Sequence, residues 1–147
     1  MIQTINPATE AVIQSYPVLS KKAAYAHVAD AQAAYQTWKK TAWETRRTYI
    51  LNLATCLRAK KEDYARLMAT EMGKPMTAGL SELDKCIWVC EHYAEHTPQY
   101  LADELVQTAM KETKVVYRPL GVVFAIMPWN FPFWQVFRYA VPTIAAG

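Results

Sequence analysis

Glycine is scarce in this sequence, at 4 of 147 residues. Phosphate-binding loops need glycine for close backbone approach, and neither G-x-G-x-x-G nor G-x-x-x-x-G-K-[ST] occurs. Cysteine is also scarce, and 3 cysteines, an odd number, favour reduced thiols in the cytoplasm over a disulfide framework. The start, MIQTINPATE, is too polar for a signal peptide. Any nucleotide chemistry must therefore rest on other features.

Neither sign of charge dominates. Lys and Arg number 16 and Asp and Glu 13, which gives a formal net charge of +3. A nucleic-acid binder concentrates its basic residues in a stripe, so we expect no nucleic-acid partner and instead a small molecule or a protein. A hydrophobic content of 52% excludes disorder and describes an ordinary globular unit.

The amino-terminal part predicts a hairpin followed by helices. Residues 2–5 and 11–16 flank a turn-prone Asn-Pro-Ala-Thr, and Ser20 is suited to cap a helix. From Glu44 the apolar pattern predicts two helices that separate near residues 60–63 and stop at Gly73. The first helix has one predicted apolar face: Ala24, Val28, Ala31, Tyr35 and Trp38.

A further helix is predicted over residues 78–102, kinked or shortened by Pro98. Its predicted inward face is Leu83, Ile87, Cys90, Ala94, Thr97 and Leu101. Residues 106–109 and 113–117 then predict a second hairpin.

Residues 122–126 are apolar at every position, which is typical of a strand buried on both faces of a parallel sheet. Such a strand needs parallel neighbours reached through crossovers, and only one helical segment follows it. The sequence therefore predicts the front part of a longer protein, with an exposed apolar edge when it stands alone.

The segment after this strand is the most specific part of the sequence. Met127 and Phe131 each precede a proline and are pushed to extended conformations, so Asn130 lies on a short stiff loop between strand and helix. Ligands of open parallel sheets bind at the carboxyl ends of strands. A rigid Asn amide there can donate to an oxygen that gains negative charge in acyl or aldehyde chemistry.

The following helix brings Trp134, Gln135 and Arg138 to one side, with Phe131 leading into it, and the Arg suits a carboxylate. Simpler interpretations stay open: aromatic residues as core, Asn130 as a turn residue, and Arg138 as a surface residue. The charge-free run of residues 122–137 also fits a membrane span, but its prolines argue against one, so we expect no membrane partner.

The cysteines indicate neither catalysis nor a metal site. Cys56 lies within a predicted helix among apolar residues, and Cys86 and Cys90 lie on another. On that helix the two cysteines and the pair His92 and His96 point about 200° apart, so they cannot surround a tetrahedral zinc ion.

Residues 117–147 closely resemble the NAD(P)-dependent aldehyde dehydrogenase superfamily, and more narrowly the succinate-semialdehyde dehydrogenases, through YRPLGVVFAIMPWNFPFWQVFRYAVPTIAAG. INPATE, the EMGKP of residues 71–75 and YAEHTPQYL occur in the expected order. The family usually has Gly where this chain has Glu10.

The resemblance implies roles for three groups of residues. Asn130 becomes the donor to a thiohemiacetal oxyanion, and Arg138 holds the distal carboxylate of a small aldehyde. The nicotinamide side of the NAD or NADP site is lined by Ile126, Met127, Pro128 and Trp129. The substrate tunnel is shaped by Phe131, Trp134 and Gln135. The implied reaction is thiolate attack on the aldehyde, hydride transfer to NAD(P)+ and hydrolysis by a glutamate-activated water.

The implied fold is α/β: helices, β-hairpins and the first strand of a Rossmann-like parallel sheet. Residues 1–147 would be the amino-terminal part of the cofactor-binding domain, with the hairpin of residues 105–118 in the oligomerisation arm of a homo-oligomer. The catalytic domain, with its nucleophile and general base, would lie beyond Gly147, so the fragment alone would be inactive. The competing hypothesis is a non-catalytic helical interaction module with an apolar carboxyl-terminal docking segment.

Overall fold

The computed structural model describes residues 1–147 and contains helices and two small antiparallel hairpins. In chain order the elements are β1 (Ile2–Ile5), β2 (Val12–Tyr16), α1 (Lys21–Trp38), α2 (Trp43–Ala59), α3 (Lys61–Met72), α4 (Met76–Tyr100), β3 (Glu104–Leu105), β4 (Lys114–Val115) and α5 (Pro132–Ala146).

The first hairpin is confirmed, and so are the helix ends at Ser20, near Lys60 and at Gly73, whereas the helix predicted over 78–102 begins and ends two residues earlier. β1 pairs with β2, and the Ser20 hydroxyl caps α1 by accepting from the Ala23 amide at 3.2 Å. Glu10 has φ 60°, in the left-handed region that glycine adopts without strain. The turn therefore keeps a backbone conformation that suits glycine, and a glutamate in this conformation is strained. α2 and α3 meet at Lys60, and the helix containing Pro98 ends two residues later, at Tyr100.

The core forms where α2, α3 and α5 pack around α4. Five of the six residues predicted to face inward from α4 are buried, and Leu101 is half-buried. Gly79 permits the close packing of α3, because a Cβ at this position would lie 3.3 Å from the Ala65 Cα. The buried residues that the other helices contribute are Ile50, Ala54 and Leu57 from α2, Ala65 and Met68 from α3, and Val141 and Ala145 from α5.

The predicted helix α1 forms, but its apolar face is mostly not buried. Only Tyr35 and Trp38 are half-buried, while Ala24, Val28 and Ala31 are exposed. Their anchors are polar: the Trp38 indole donates to the Ile144 carbonyl at 2.9 Å, and the Tyr35 hydroxyl to the Pro119 carbonyl at 3.2 Å. Ala31 lines an open cleft beside Thr143 and Ile144 of α5.

The predicted strand of residues 122–126 is not a strand here. It has no hydrogen-bonded neighbour, and Phe124 and Ile126 are 85% and 84% exposed. The physical reason is that a strand requires a partner ladder, which residues 1–147 do not supply. The exposed apolar edge expected for the segment alone is therefore confirmed.

The second hairpin exists but is shorter than predicted and shifted. Its ladder joins Glu104–Leu105 to Lys114–Val115 and is extended by a 2.8 Å bond from the Val106 amide to the Thr113 carbonyl. Residues 107–109 leave the ladder because the Thr108 hydroxyl bonds Thr113 and the Met110 amide instead.

None of the helices combines the length and the apolar character required to cross a bilayer. The charge-free run of residues 122–137 is not one continuous helix, since α5 begins only at Pro132.

Two of the three thiols belong to the core. Cys86 and Cys90 are buried on α4, whereas Cys56 is exposed. Burial raises the pKa of each buried thiol from 9.0 to about 12, and the negative charges of Glu82 and Glu91 add to the effect on Cys86 and Cys90 respectively. Because their pKa values are raised, both thiols stay protonated at neutral pH, and a protonated thiol is a poor nucleophile.

We expect a disulfide reagent such as Ellman's reagent to modify Cys56 rapidly in the folded chain at neutral pH. Cys86 and Cys90 should react more slowly by orders of magnitude, because burial raises the pKa of each thiol and blocks access of the reagent. Urea should release both thiols, and Cys56→Ser should abolish the fast phase. Rapid modification of a second thiol in the folded chain would contradict this assignment.

Candidate functional site

The amino terminus of α5 is capped by a carboxylate from another helix. Pro132, the first residue of α5, has no amide proton, so Phe133 and Trp134 carry the first free donors of the helix. Both donate to the same oxygen, Glu82 Oε1, each at 2.9 Å. The carboxylate therefore satisfies two amides and lies at the positive end of the helix dipole.

Glu82 is itself paired inside the protein. Its second oxygen, Oε2, accepts from Lys74 Nζ, and the side chains of Lys74 and Glu82 are only 8% and 1% exposed. Lys74 follows Gly73, whose φ of 70° ends α3 in the left-handed conformation. This turn points the chain from α3 into α4 and brings the ammonium beside the carboxylate.

The same ammonium contacts the loop before α5. Lys74 Nζ donates to the Asn130 carbonyl at 3.2 Å and lies 3.9 Å from the centre of the Phe131 ring. Lys74 thus binds the backbone of Asn130, the ring of the next residue and the carboxylate that caps α5. Lys74 therefore holds the loop of residues 128–132 at Asn130, and Glu82 of α4 holds the start of α5 that follows it.

Asn130 is exposed, and its side-chain amide makes no hydrogen bond within the chain. Its backbone is held while its carboxamide stays free to bind another group. A cleft of about 390 Å³ adjoins the loop between β1 and α3, and Trp129 and Pro132 line it, but Asn130 is not part of its wall.

The residues predicted to line a cofactor site form an apolar approach to the loop. Ile126 is 84% and Trp129 75% exposed, Pro128 is exposed and Met127 is half-buried. The structure thus presents apolar side chains on the amino-terminal side of Asn130.

The residues predicted to shape a substrate tunnel follow on α5. Trp134 is half-buried with Lys85 Nζ 4.0 Å from its ring, and Gln135 is half-buried. Phe131 and Arg138 are exposed, and Arg138 forms no salt bridge within the chain. The guanidinium is therefore available to a ligand.

Our reading of the sequence missed Lys74 and Glu82. Glu82 lies four residues before Cys86, in register with the inward stripe of α4, and an acidic residue at such a position was a signal that it is buried and paired. Lys74 lies within EMGKP, a segment that contributed to the family resemblance but for which no functional role was predicted.

The histidines of α4 are engaged with each other. His92 stacks on His96 at 4.5 Å and bonds the Tyr100 hydroxyl at 2.9 Å. No cluster of three His, Cys, Asp or Glu side chains in the chain has the geometry to hold a metal ion.

Comparison with known proteins identifies the family. The profile of the aldehyde dehydrogenase family matches residues 1–147. The chain is 40% identical over 146 residues to a probable NADP+ succinate-semialdehyde dehydrogenase of Synechocystis sp., covering 99% of this chain and 32% of the relative. It is 38% identical over 144 residues to an NAD(P)+ succinate semialdehyde dehydrogenase of Escherichia coli, covering 98% and 31%.

A solved structure agrees. The fold matches succinic semialdehyde dehydrogenase from Streptococcus pyogenes, in complex with NADP+, with a TM-score of 0.94 and 28% identity, covering 99% of this chain and 32% of that one. The chain spans about a third of the length of these relatives. Its helices and small strands match the amino-terminal part of their fold, and the hypothesis of a non-catalytic interaction module gains no support. The chain belongs to the aldehyde dehydrogenase family.

Proposed function

We propose that residues 1–147 form the amino-terminal part of an enzyme that oxidises succinate semialdehyde to the acid with NAD or NADP. The observation that carries this proposal is the loop of residues 128–132, whose backbone is bound by Lys74 while the Asn130 carboxamide is uncommitted. The names of the Synechocystis and E. coli relatives support the substrate.

Asn130 acts as a hydrogen-bond donor to the oxygen of the reacting carbonyl. When a thiolate adds to the aldehyde carbon, that oxygen gains negative charge, and a donor already in position stabilises it. Since the carboxamide makes no hydrogen bond within the chain, its N–H groups need not break one to donate.

The apolar side chains before Asn130 suit a flat aromatic ring. Ile126 and Trp129 are largely exposed, so a nicotinamide can bury their surface by packing against them, with Met127 and Pro128 completing the wall. The bound cofactor supplies the acceptor for a hydride. The residues of this chain hold its ring beside the carbonyl that Asn130 binds.

Arg138 binds the carboxylate at the far end of the substrate. Its guanidinium is exposed and unpaired, and a planar fork of donors matches a carboxylate in two parallel hydrogen bonds. Phe131, Trp134 and Gln135 lie between Arg138 and Asn130 along the chain and form the tunnel wall. The substrate is thereby held at its anionic end and polarised at its aldehyde.

The catalytic thiol and the general base are supplied from outside residues 1–147. Cys86 and Cys90 are buried with raised pKa values, which suits neither to attack an aldehyde. Continuation of the reading frame tests this point: a Gly-Gln-x-Cys context and a Glu-Leu-Gly-Gly stretch are expected, and a natural protein that ends at Gly147 would contradict it.

The hairpin of residues 105–118 belongs to an oligomerisation arm. Its ladder joins only two residues of each strand, and Leu105 is 79% exposed, so its free edges suit pairing with another subunit. We propose a homo-oligomer for the complete enzyme, built around residues 1–147 as part of the cofactor-binding domain.

Asn130→Ala in the complete enzyme should lower kcat about 10²- to 10³-fold, because the charge on the reacting oxygen loses a positioned donor. Steady-state formation of the reduced cofactor measures this effect. The matched control, Asn52→Ala, removes an exposed carboxamide on α2 and should leave kcat unchanged. An unaltered kcat in Asn130→Ala would remove the oxyanion role.

Arg138→Ala should raise KM for succinate semialdehyde about ten- to a hundredfold, the range of a lost charge-assisted hydrogen bond pair. KM for an uncharged aldehyde of similar length should hardly change, since that substrate has no carboxylate. Arg66→Ala, at an exposed arginine on α3, serves as the control. Equal changes for both aldehydes would argue against a carboxylate anchor.

A further inference from the structure

We infer that Glu82 and Lys74 are positioning residues that hold the Asn130 loop in its reactive geometry, an inference that rests on the proposed function of Asn130. Both side chains lie inside the protein and bond backbone groups of the loop and of α5, whereas the Asn130 carboxamide makes no hydrogen bond within the chain. They act through the backbone and touch no reacting atom.

The hold on the carboxyl-terminal end of the loop is a cap. Glu82 Oε1 accepts from both the Phe133 and the Trp134 amides. These amides cannot bond within α5, and no other side chain of the chain reaches them, so this one oxygen restrains the geometry of the first turn. A shift of Glu82 therefore disturbs the first turn of α5, close to Asn130, while the buried Val141 and Ala145 keep the rest of the helix in place.

The hold on Asn130 itself comes from Lys74. Its ammonium bonds the Asn130 carbonyl and lies over the Phe131 ring while it pairs with Glu82 Oε2. With a side chain only 8% exposed, the ammonium depends on these protein groups because water cannot replace them. Loss of either charge leaves the other charge buried without its partner, and this disturbs the two groups that the pair holds, the carbonyl of Asn130 and the start of α5.

This arrangement matters for rate because an oxyanion donor works only when it is in place before the charge develops. Misplacement of a catalytic group by about 1 Å can cost about a hundredfold. The pair is thus expected to act on kcat through the position of Asn130 and to leave the binding of the substrate carboxylate at Arg138 nearly unchanged.

The kinetic test uses Glu82→Gln and Lys74→Met in the complete enzyme. Each should lower kcat about ten- to a hundredfold with less than a threefold change in KM. Two matched controls remove exposed or partly exposed pairs from neighbouring positions: Glu91→Gln breaks the pair with Arg58, and Lys61→Met the pair with Asp84. The controls should keep kcat within about twofold of the unmodified enzyme.

A double-mutant cycle separates positioning from general damage. If Glu82 acts through Asn130, adding Glu82→Gln to Asn130→Ala should cause little further loss of kcat. Multiplied losses, or an unchanged kcat in both single variants, would overturn the inference. Should a single variant fail to fold, the pair Glu82→Gln with Lys74→Met leaves no unpaired buried charge, and it should still lose kcat because Met cannot bind the Asn130 carbonyl.

Nuclear magnetic resonance of the chain tests the inference apart from catalysis. In Glu82→Gln, the resonances of Asn130, including its side-chain amide, should broaden or multiply through exchange between conformations, whereas in Glu91→Gln they should match those of the unmodified chain. A sharp, unshifted Asn130 in Glu82→Gln would overturn the positioning role. Broadening in Glu82→Gln together with a silent Asn130→Ala would instead remove the proposed function and leave the loop restraint standing.

Discussion

A buried ion pair between Lys74 and Glu82 determines how three helices and one loop meet. Removal of two charges from water is costly, and the attraction between them offsets the cost only when further hydrogen bonds satisfy the remaining groups. Here they do: one carboxylate oxygen binds the ammonium and the other binds two helix amides, while the ammonium also binds a loop carbonyl. The result is a defined geometry at the start of α5.

The helical part of the fold follows from local patterns. The spacing of apolar residues predicted the inward face of α4 and, through its loss of register, the break between α2 and α3. Ser20 and Gly73 marked helix ends because capping and left-handed termination are local effects. The strand predicted at residues 122–126 does not form, and the apolar face of α1 is mostly exposed, since a strand and an apolar face both need partners. Phe124 and Val28 remain exposed because no other part of residues 1–147 covers them.

For the candidate site, too, the sequence predicted local features but not contacts between distant residues. Two prolines around Asn130 indicated a stiff loop, and the spacing on α5 placed Trp134, Gln135 and Arg138 near one another. The restraint on the loop was not predictable from periodicity, because it joins Lys74 to a carbonyl and Glu82 to two amides, each more than fifty residues away. Such contacts arise only when α3, α4 and α5 have packed. The only local indication of these contacts was an acidic residue, Glu82, within the apolar stripe of α4.

Hydrogen exchange of the Phe133 and Trp134 amides in the unmodified chain tests the central claim most directly. First-turn amides normally have no partner, and those of Glu62 and Asp63 in α3, a helix without a side-chain cap, are the internal reference. After correction for intrinsic rates, the account predicts that Phe133 and Trp134 exchange at least about tenfold more slowly than this pair, the effect of a hydrogen bond to a charged group. Equal protection of the two pairs would contradict it.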